Sequence, residues 1–349
     1  MNLDWKAILR TDGNKIAGAE LHSGDNTAAA ALDQAVMSPL PEHAVIVIRG
    51  KDAAEFLHAQ FTTDITNCDR PARRFSAYCS PAGRVLATLH VVPVADGFLL
   101  HVPNAIAQSL ISKLRIYVLR ADVTIETGND TWLSLGLSAP NLSDLIEPVL
   151  GSSSDAIGSV LSQPPQYGLY VRGPQPRMIM IAPAESMIEL WSTLQTEFHV
   201  IDSGAWRLFD IKAGVPQLDA TTSDRFTAQG LNLDLIDAID FTKGCYPGQE
   251  IIARVHYRGR TKQRMFRFRV ETDRTPAPGD LVYDPKRPDQ TGGYVLSAAR
   301  APDGGTELLA VLRIADWRNG DLRLESITGP VLEPLSLPYS IPEVADATS

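Results

Sequence analysis

"AVIVIRGKDAAEFLHAQF", Ala44 to Phe61, is the stretch whose reading decides the fold. Its first five residues are an apolar, β-branched run that reads as a buried strand. Gly50 breaks the run. In "KDAAEFLHAQF" the period then lengthens, so that Ala53, Phe56, Leu57 and Gln60 line one helical face behind a capping-box pattern at Asp52 and Glu55.

Working outward, "FSAYCS" and "VLATLHVVPV" read as strands joined by a turn at Pro81-Ala82-Gly83. Asp96-Gly97 turns the chain into "FLLHV". "PNAIAQSLISKLRIYVLR" predicts a helix, with Ile106, Leu110, Leu114 and Val118 at helical spacing, and "DVTIE" closes the segment as a strand. The next hundred residues repeat the order: "TWLSLGL", the helix "NLSDLIEPVL", "YGLYVRG", "RMIMIAP", the helix "AESMIELWSTLQTEF" and "HVID". Each segment spells β-α-β-β-α-β, the split βαβ order of ferredoxin-like units, with an extra hairpin strand in the first. "GSSSDAIGSVLSQPPQ" (151–166) has loop composition. Ser203 is a plausible N-cap for the helix "GAWRLFDIKAGVP". From "RMFRFRV" onward the period falls to two, and short strands with Pro and Gly turns predict a small Greek-key barrel.

The expected class is therefore α+β. A lead-in covers 1–40, a first ferredoxin-like part 41–130, a second with the following helix 131–260, and a C-terminal antiparallel β-barrel 261–349. The chain has 349 residues, 44% hydrophobic, enough for more than one core. No apolar run suggests a transmembrane helix, and the first residues lack the pattern of a secretory signal, so a cytoplasmic protein without membrane contact is expected. Three cysteines, Cys68, Cys79 and Cys245, with no CxxC pair suit a reducing compartment and exclude a self-sufficient four-cysteine metal site.

The net charge is −9, yet "FTKGCYPGQEIIARVHYRGRTKQR" (241–264) gathers positive charge behind Cys245. Pro247 predicts a helix beginning beside it, which would place Cys245 ahead of a helix N-terminus, a setting that favours a thiolate, with Lys243 adding charge. The competing reading is a buried cysteine in a tight turn. Arg254, Arg258, Arg260, Lys262, Arg264, Arg267 and Arg269 form a basic stripe that would serve an anion, a partner protein or RNA, or simply be a solvated face. Arg254 and Arg258 share one helical face beside the cysteine. The acidic surface, and the core-facing positions of Phe266 and Phe268, argue against direct nucleic-acid binding.

"KGCYPGQE" (Lys243, Gly244, Cys245, Tyr246, Pro247, Gly248, Gln249, Glu250) resembles the signature of the YgfZ family of folate-binding proteins, relatives of the glycine-cleavage T-protein. "IRGKDAAEFLHAQFTTDI", "SPAGRVLATLHV", "LRIYVLRADV" and "WRLFDIKAGVPQLDATTSDRFTAQGLNLD" resemble the family's other blocks, in family order. The resemblance implies a three-domain ring around a central folate cavity and tetrahydrofolate or a derivative as ligand. It also implies a role in making or repairing iron–sulfur enzymes, including tRNA thiolation enzymes, with iron–sulfur assembly proteins and client enzymes as partners. Cys245 would be the required functional thiolate. No metal is expected on the chain by itself, although Cys245 would serve as a shared cluster ligand. Trp206 matches a folate-contacting Trp, with a core anchor as the competing role, and His43 stands where some members carry a second Trp. Arg254 and Arg258 would meet the folate tail. The T-protein's Asp pair is replaced by Ala87 and Thr88, which removes the usual agent of proton handling at folate. An accessory protein that completes no catalytic cycle is expected. A folate-dependent one-carbon transferase and an RNA-binding tRNA-modification factor are the rivals.

Overall fold

The computed structural model describes residues 33–67 and 74–342, together with Trp5 and the segments 15–17 and 20–22. Cys68 lies outside the described residues. The chain divides into two compact units. One holds Met1–His58, Asp64–Phe75 and Leu89–Trp206; the other holds Ala59–Thr63, Ser76–Thr88 and Arg207–Ser349.

A short antiparallel pair, β1 (Lys15–Ala17) and β2 (Glu20–His22), precedes the main elements. The predicted strand of the opening stretch is β4 (His43–Arg49), and the predicted helix is α1 (Ala53–Gln60). The capping box does not form: the Asp52 carboxylate accepts the Asp122 N–H at 2.8 Å instead. β5 (Phe75–Cys79), β6 (Val85–Val94) and β7 (Gly97–Pro103) follow, then α2 (Asn104–Ile116) and β8 (Thr124–Thr127). They build a sheet of order β5-β6-β7-β4-β8, in which β4 is antiparallel to both β7 and β8. The helix predicted to reach Arg120 stops at Ile116. Leu119 adopts φ +48° and the Ala121 N–H closes a turn on Val118 O, so Val118 is no longer on a helical face.

The second sheet runs β10-β11-β12-β9-β3-β13. Here β9 is Trp132–Ser138, β10 Val160–Gln163, β11 Gln166–Val171, β12 Arg177–Pro183 and β13 His199–Val200, with α3 (Leu142–Leu150) and α4 (Ala184–Leu194) between them. Two parts departed from expectation. β3 (Val36–Pro39), read from composition as lead-in, is fully buried between β9 and β13, parallel to the latter. β10 takes up part of a stretch read as loop, because residues of polar composition suffice for an edge strand that needs only one apolar anchor, Leu161. Along β9, Leu133, Leu135 and Leu137 face a core that includes Met37, Met178, Met180, Trp191 and Trp5. Trp5 meets Trp191 edge-on at 5.0 Å. The small residues Ser134, Gly136 and Ser138 alternate with these leucines on the opposite face.

α5 (Ser203–Ala213), whose residues from Arg207 onward belong to the second unit, ends at Gly214 (φ +64°). At its N-terminus the Asp202 carboxylate accepts the Ala205 N–H at 2.7 Å. α6 (Gln249–Arg258) leads to β14 (Gln263–Val270), β15 (Leu281–Tyr283), β16 (Thr291–Arg300), β17 (Thr306–Arg313), α7 (Ile314–Asn319), β18 (Arg323–Leu324) and β19 (Glu333–Leu335). The sheet order is β18-β15-β16-β17-β14-β19, all antiparallel. It curls as a half-barrel, and the segment before and within β19 reaches both edges: Leu332 N–H bonds Leu322 O while β19 pairs with β14. Phe266, Phe268 and Val270 enter its core, as their period-two spacing predicts. Among the described residues no helix is long and apolar enough to cross a membrane.

Candidate functional site: the signature turn

The octapeptide folds as a turn in which two buried side chains bracket an exposed pair of residues. Lys243 and Tyr246 are buried, while Gly244 and Cys245 between them are exposed. The Lys243 ammonium does not charge the surface beside the cysteine, as the sequence suggested. It turns inward, donates to Phe61 O at 2.6 Å and sits 4.9 Å from the centre of the Tyr246 ring. Burial, with the Cys79 thiol nearby, pushes the Tyr246 hydroxyl up, so it stays protonated. The two anchored neighbours hold the backbone by its flanks and present Cys245 to solvent. Cys79 is the opposite case: it is 1% exposed, and burial pushes its thiol up to about 12.

Upstream, the Asp240 carboxylate accepts the Thr242 N–H at 2.8 Å, and the Asp240 N–H bonds Thr62 O at 2.8 Å. Downstream, the Gln249 side-chain amide donates to Lys243 O at 3.3 Å. Helix α6 begins at Gln249, not at Pro247, so Cys245 lies four residues ahead of it. The cause is Gly248, which caps the helix at φ +82°. A Cβ there would stand 2.6 Å from Ser80 O and 2.9 Å from the Gly83 Cα, both backbone atoms that cannot give way. The "SPAG" turn and the signature turn thus fit by the absence of a side chain. Of the two glycines flanking Cys245, Gly248 alone is left-handed. Gly248→Ala is expected to cost about 2–3 kcal/mol, combining the left-handed penalty with a backbone clash. Gly244→Ala should cost under about 1 kcal/mol. Urea unfolding midpoints of the two variants check this, and equal shifts would refute it.

The stripe behind the cysteine is mostly committed. Arg264 is buried against Asp234 at 2.7 Å, Arg267 pairs with Glu307 at 2.6 Å, Arg269 bonds Glu271 and Asp303, and Arg254 pairs with Glu250 at 2.7 Å along α6. Arg258, Arg260 and Lys262 are exposed and have no ion pair among the described residues.

The remaining candidates lie in the first unit. Trp206 is 2% exposed. Its ring lies against Gly136, where a Cβ would stand 2.6 Å from Cε3, and the Arg177 guanidinium covers it at 4.8 Å. His43 stacks on His101, with ring centres 4.5 Å apart and planes 11° apart, and His90 lies 6.4 Å from His101. Sequence reasoning missed this histidine group. The signal was available in strand alternation, because the register pairs His90 with His101 and sets His43 beside them on the same face. His101 is 2% exposed and its Nε2 meets no hydrogen-bond partner among the described residues. Ala87 and Thr88, where the family resemblance would place carboxylates, are both 1% exposed, and the Thr88 hydroxyl donates to Pro216 O at 3.1 Å.

The chain is 30% identical to the tRNA-modifying protein YgfZ of Edwardsiella ictaluri (strain 93-146) over 297 residues, 84% of this chain and 89% of the relative. The chain belongs to the YgfZ family. The tRNA-modifying proteins YgfZ of Sodalis glossinidius (strain morsitans), 29% identical over 87% of this chain and 93% of the relative, and of Serratia proteamaculans (strain 568), 28% identical over 87% and 92%, are similar to it as well. No established family profile matches the chain. The fold resembles that of the glycine cleavage system aminomethyltransferase T from Bartonella henselae, with a TM-score of 0.79 over 97% of each chain at 15% identity. The chain thus has a T-protein-like fold.

Proposed function

We propose that this chain is a cytoplasmic, folate-binding accessory protein for assembly or repair of iron–sulfur clusters, supporting enzymes that include those thiolating tRNA. The observation that carries the reading is the exposed Cys245, held out from a turn whose neighbours are anchored inward. A lone exposed thiol can give iron one ligand, or hold one sulfur, while a partner supplies the rest. Among the described residues no group of three or more His, Cys, Asp or Glu is placed to hold a metal, so on this reading the other ligands come from assembly proteins or client enzymes. The names of the curated relatives support a place in tRNA modification. The strand orders β8-β4-β7-β6 and β13-β3-β9-β12-β11 support reading the two sheets as ferredoxin-like units, the second opened by the inserted β3.

The residues assigned to folate fit it unevenly. Trp206 is covered, and Arg254 is committed to Glu250. The fit is at the histidines, where the buried Nε2 of His101, beside the flat His43 ring, has the chemistry to satisfy one polar edge of a pterin. Bound folate would supply a carrier for a one-carbon unit; the histidines would bind and orient it. Aminomethyl transfer is disfavoured because Thr88, bonded to Pro216 O, offers no carboxylate for proton transfer.

Cys245→Ser should fold normally and lower the yield of thiolated tRNA nucleosides at least tenfold in cells lacking the native copy. Wild-type yield from the variant would sink the proposal. In the purified native protein, iodoacetamide should alkylate Cys245 well ahead of Cys79, whose raised thiol is shielded.

A further inference from the structure

The C-terminal half of α6 carries His256 and Tyr257, which form an aromatic group with Phe241 from the segment before the signature turn. Phe241 stacks on His256 with centres 3.8 Å apart and planes 17° apart. Tyr257 meets both edge-on, at 6.3 Å from Phe241 and 4.7 Å from His256. His256 is exposed and Tyr257 is 66% exposed. Directly after them come Arg258, Arg260 and Lys262, the three stripe cations without an ion pair among the described residues. Gly259 caps the helix in extended conformation, and no regular element intervenes before β14.

We propose that this face of α6 and the segment 259–262 bind single-stranded RNA. An exposed aromatic group gives bases a surface to stack on without reading sequence, and the cations beside it neutralise backbone phosphates. Helix capping explains Arg258 alone, since the dipole's effect ends within the last turn; Arg260 and Lys262 lie beyond it. An acidic protein surface would use the cations but has no need of a flat, exposed ring stack. The net charge of −9 opposes tight binding elsewhere on the chain, which confines affinity to this patch and makes it salt-dependent. The inference deepens the proposed role in tRNA modification by giving the chain its own contact with the RNA. It is separable from the role of Cys245, because RNA binding can fail while Cys245→Ser still abolishes thiolation.

The test is fluorescence anisotropy with a labelled oligouridine of about 12 nucleotides, within the usual site size for single strands. Wild-type protein should bind, with a log–log salt slope of about −2 for three neutralised phosphates. Tyr257→Ala should weaken binding by roughly five- to a hundredfold, the effect of losing one stacked base. A combined Arg258→Ala, Arg260→Ala and Lys262→Ala variant should weaken it at least tenfold and flatten the salt slope. All four side chains are exposed, so circular dichroism should match wild type. Lys113→Ala with Arg120→Ala, exposed cations of the first unit, should leave binding unchanged. The proposal is overturned by absence of binding at about 50 mM salt, by equal binding in the α6 variants, or by equal loss in the control. It is also overturned if polyglutamate binds this face and oligouridine does not.

Discussion

Trp206→Ala is expected to lower stability by about 3–5 kcal/mol, the range for truncating a large, fully buried aromatic ring. The ring is 2% exposed, fills the space over Gly136 and lies under the Arg177 guanidinium, so its removal leaves a cavity and an uncovered buried cation. Gly136→Ala should cost about 1–3 kcal/mol by itself, because the added methyl would lie 2.6 Å from Cε3 of that ring. In the double variant the methyl occupies space the ring has left. The two costs should therefore fall short of additivity by at least about 1 kcal/mol. Urea unfolding of the four proteins measures this. A Trp206→Ala midpoint within error of wild type would show that the ring serves a ligand and not the core.

The second large effect is acid sensitivity of the first unit. Packing strips water from the His90 ring and, with Arg177 and His43 nearby, holds its imidazole down at about 3. Burial, together with His43 and His90, holds His101 well below the ordinary value. Both rings stay neutral in the fold, while the unfolded chain takes up protons near pH 6.5. Below that pH the unfolded state binds more protons than the native state, so stability falls with acidification, from about 6.5 down towards the folded values. Each histidine should remove roughly 2 kcal/mol between pH 7 and pH 5. Unfolding free energies measured across this range should show the loss, and His101→Gln should remove about half of it. An unchanged pH slope in that variant would mean the rings are solvated.

Periodicity made much of this protein legible. The apolar run 44–48, the helical spacing in 53–60 and the alternation in 263–270 fixed β4, α1 and β14, because period and side-chain direction are local consequences of backbone geometry. The octapeptide likewise marked Cys245, and the inward and outward pattern of its turn leaves that thiol exposed. What local pattern does not hold is the identity of distant partners. Val36–Pro39 is a strand only because β9 and β13, far along the chain, offer it free edges. Lys243 points inward because Phe61 O lies there to accept it, and Arg264, Arg267 and Arg269 find carboxylates that the sequence places far off or across a turn. A charge run therefore reads as a basic stripe until tertiary pairing neutralises most of it. Burial and long-range hydrogen bonding, which no window of sequence contains, decided which cations remain exposed beside Tyr257.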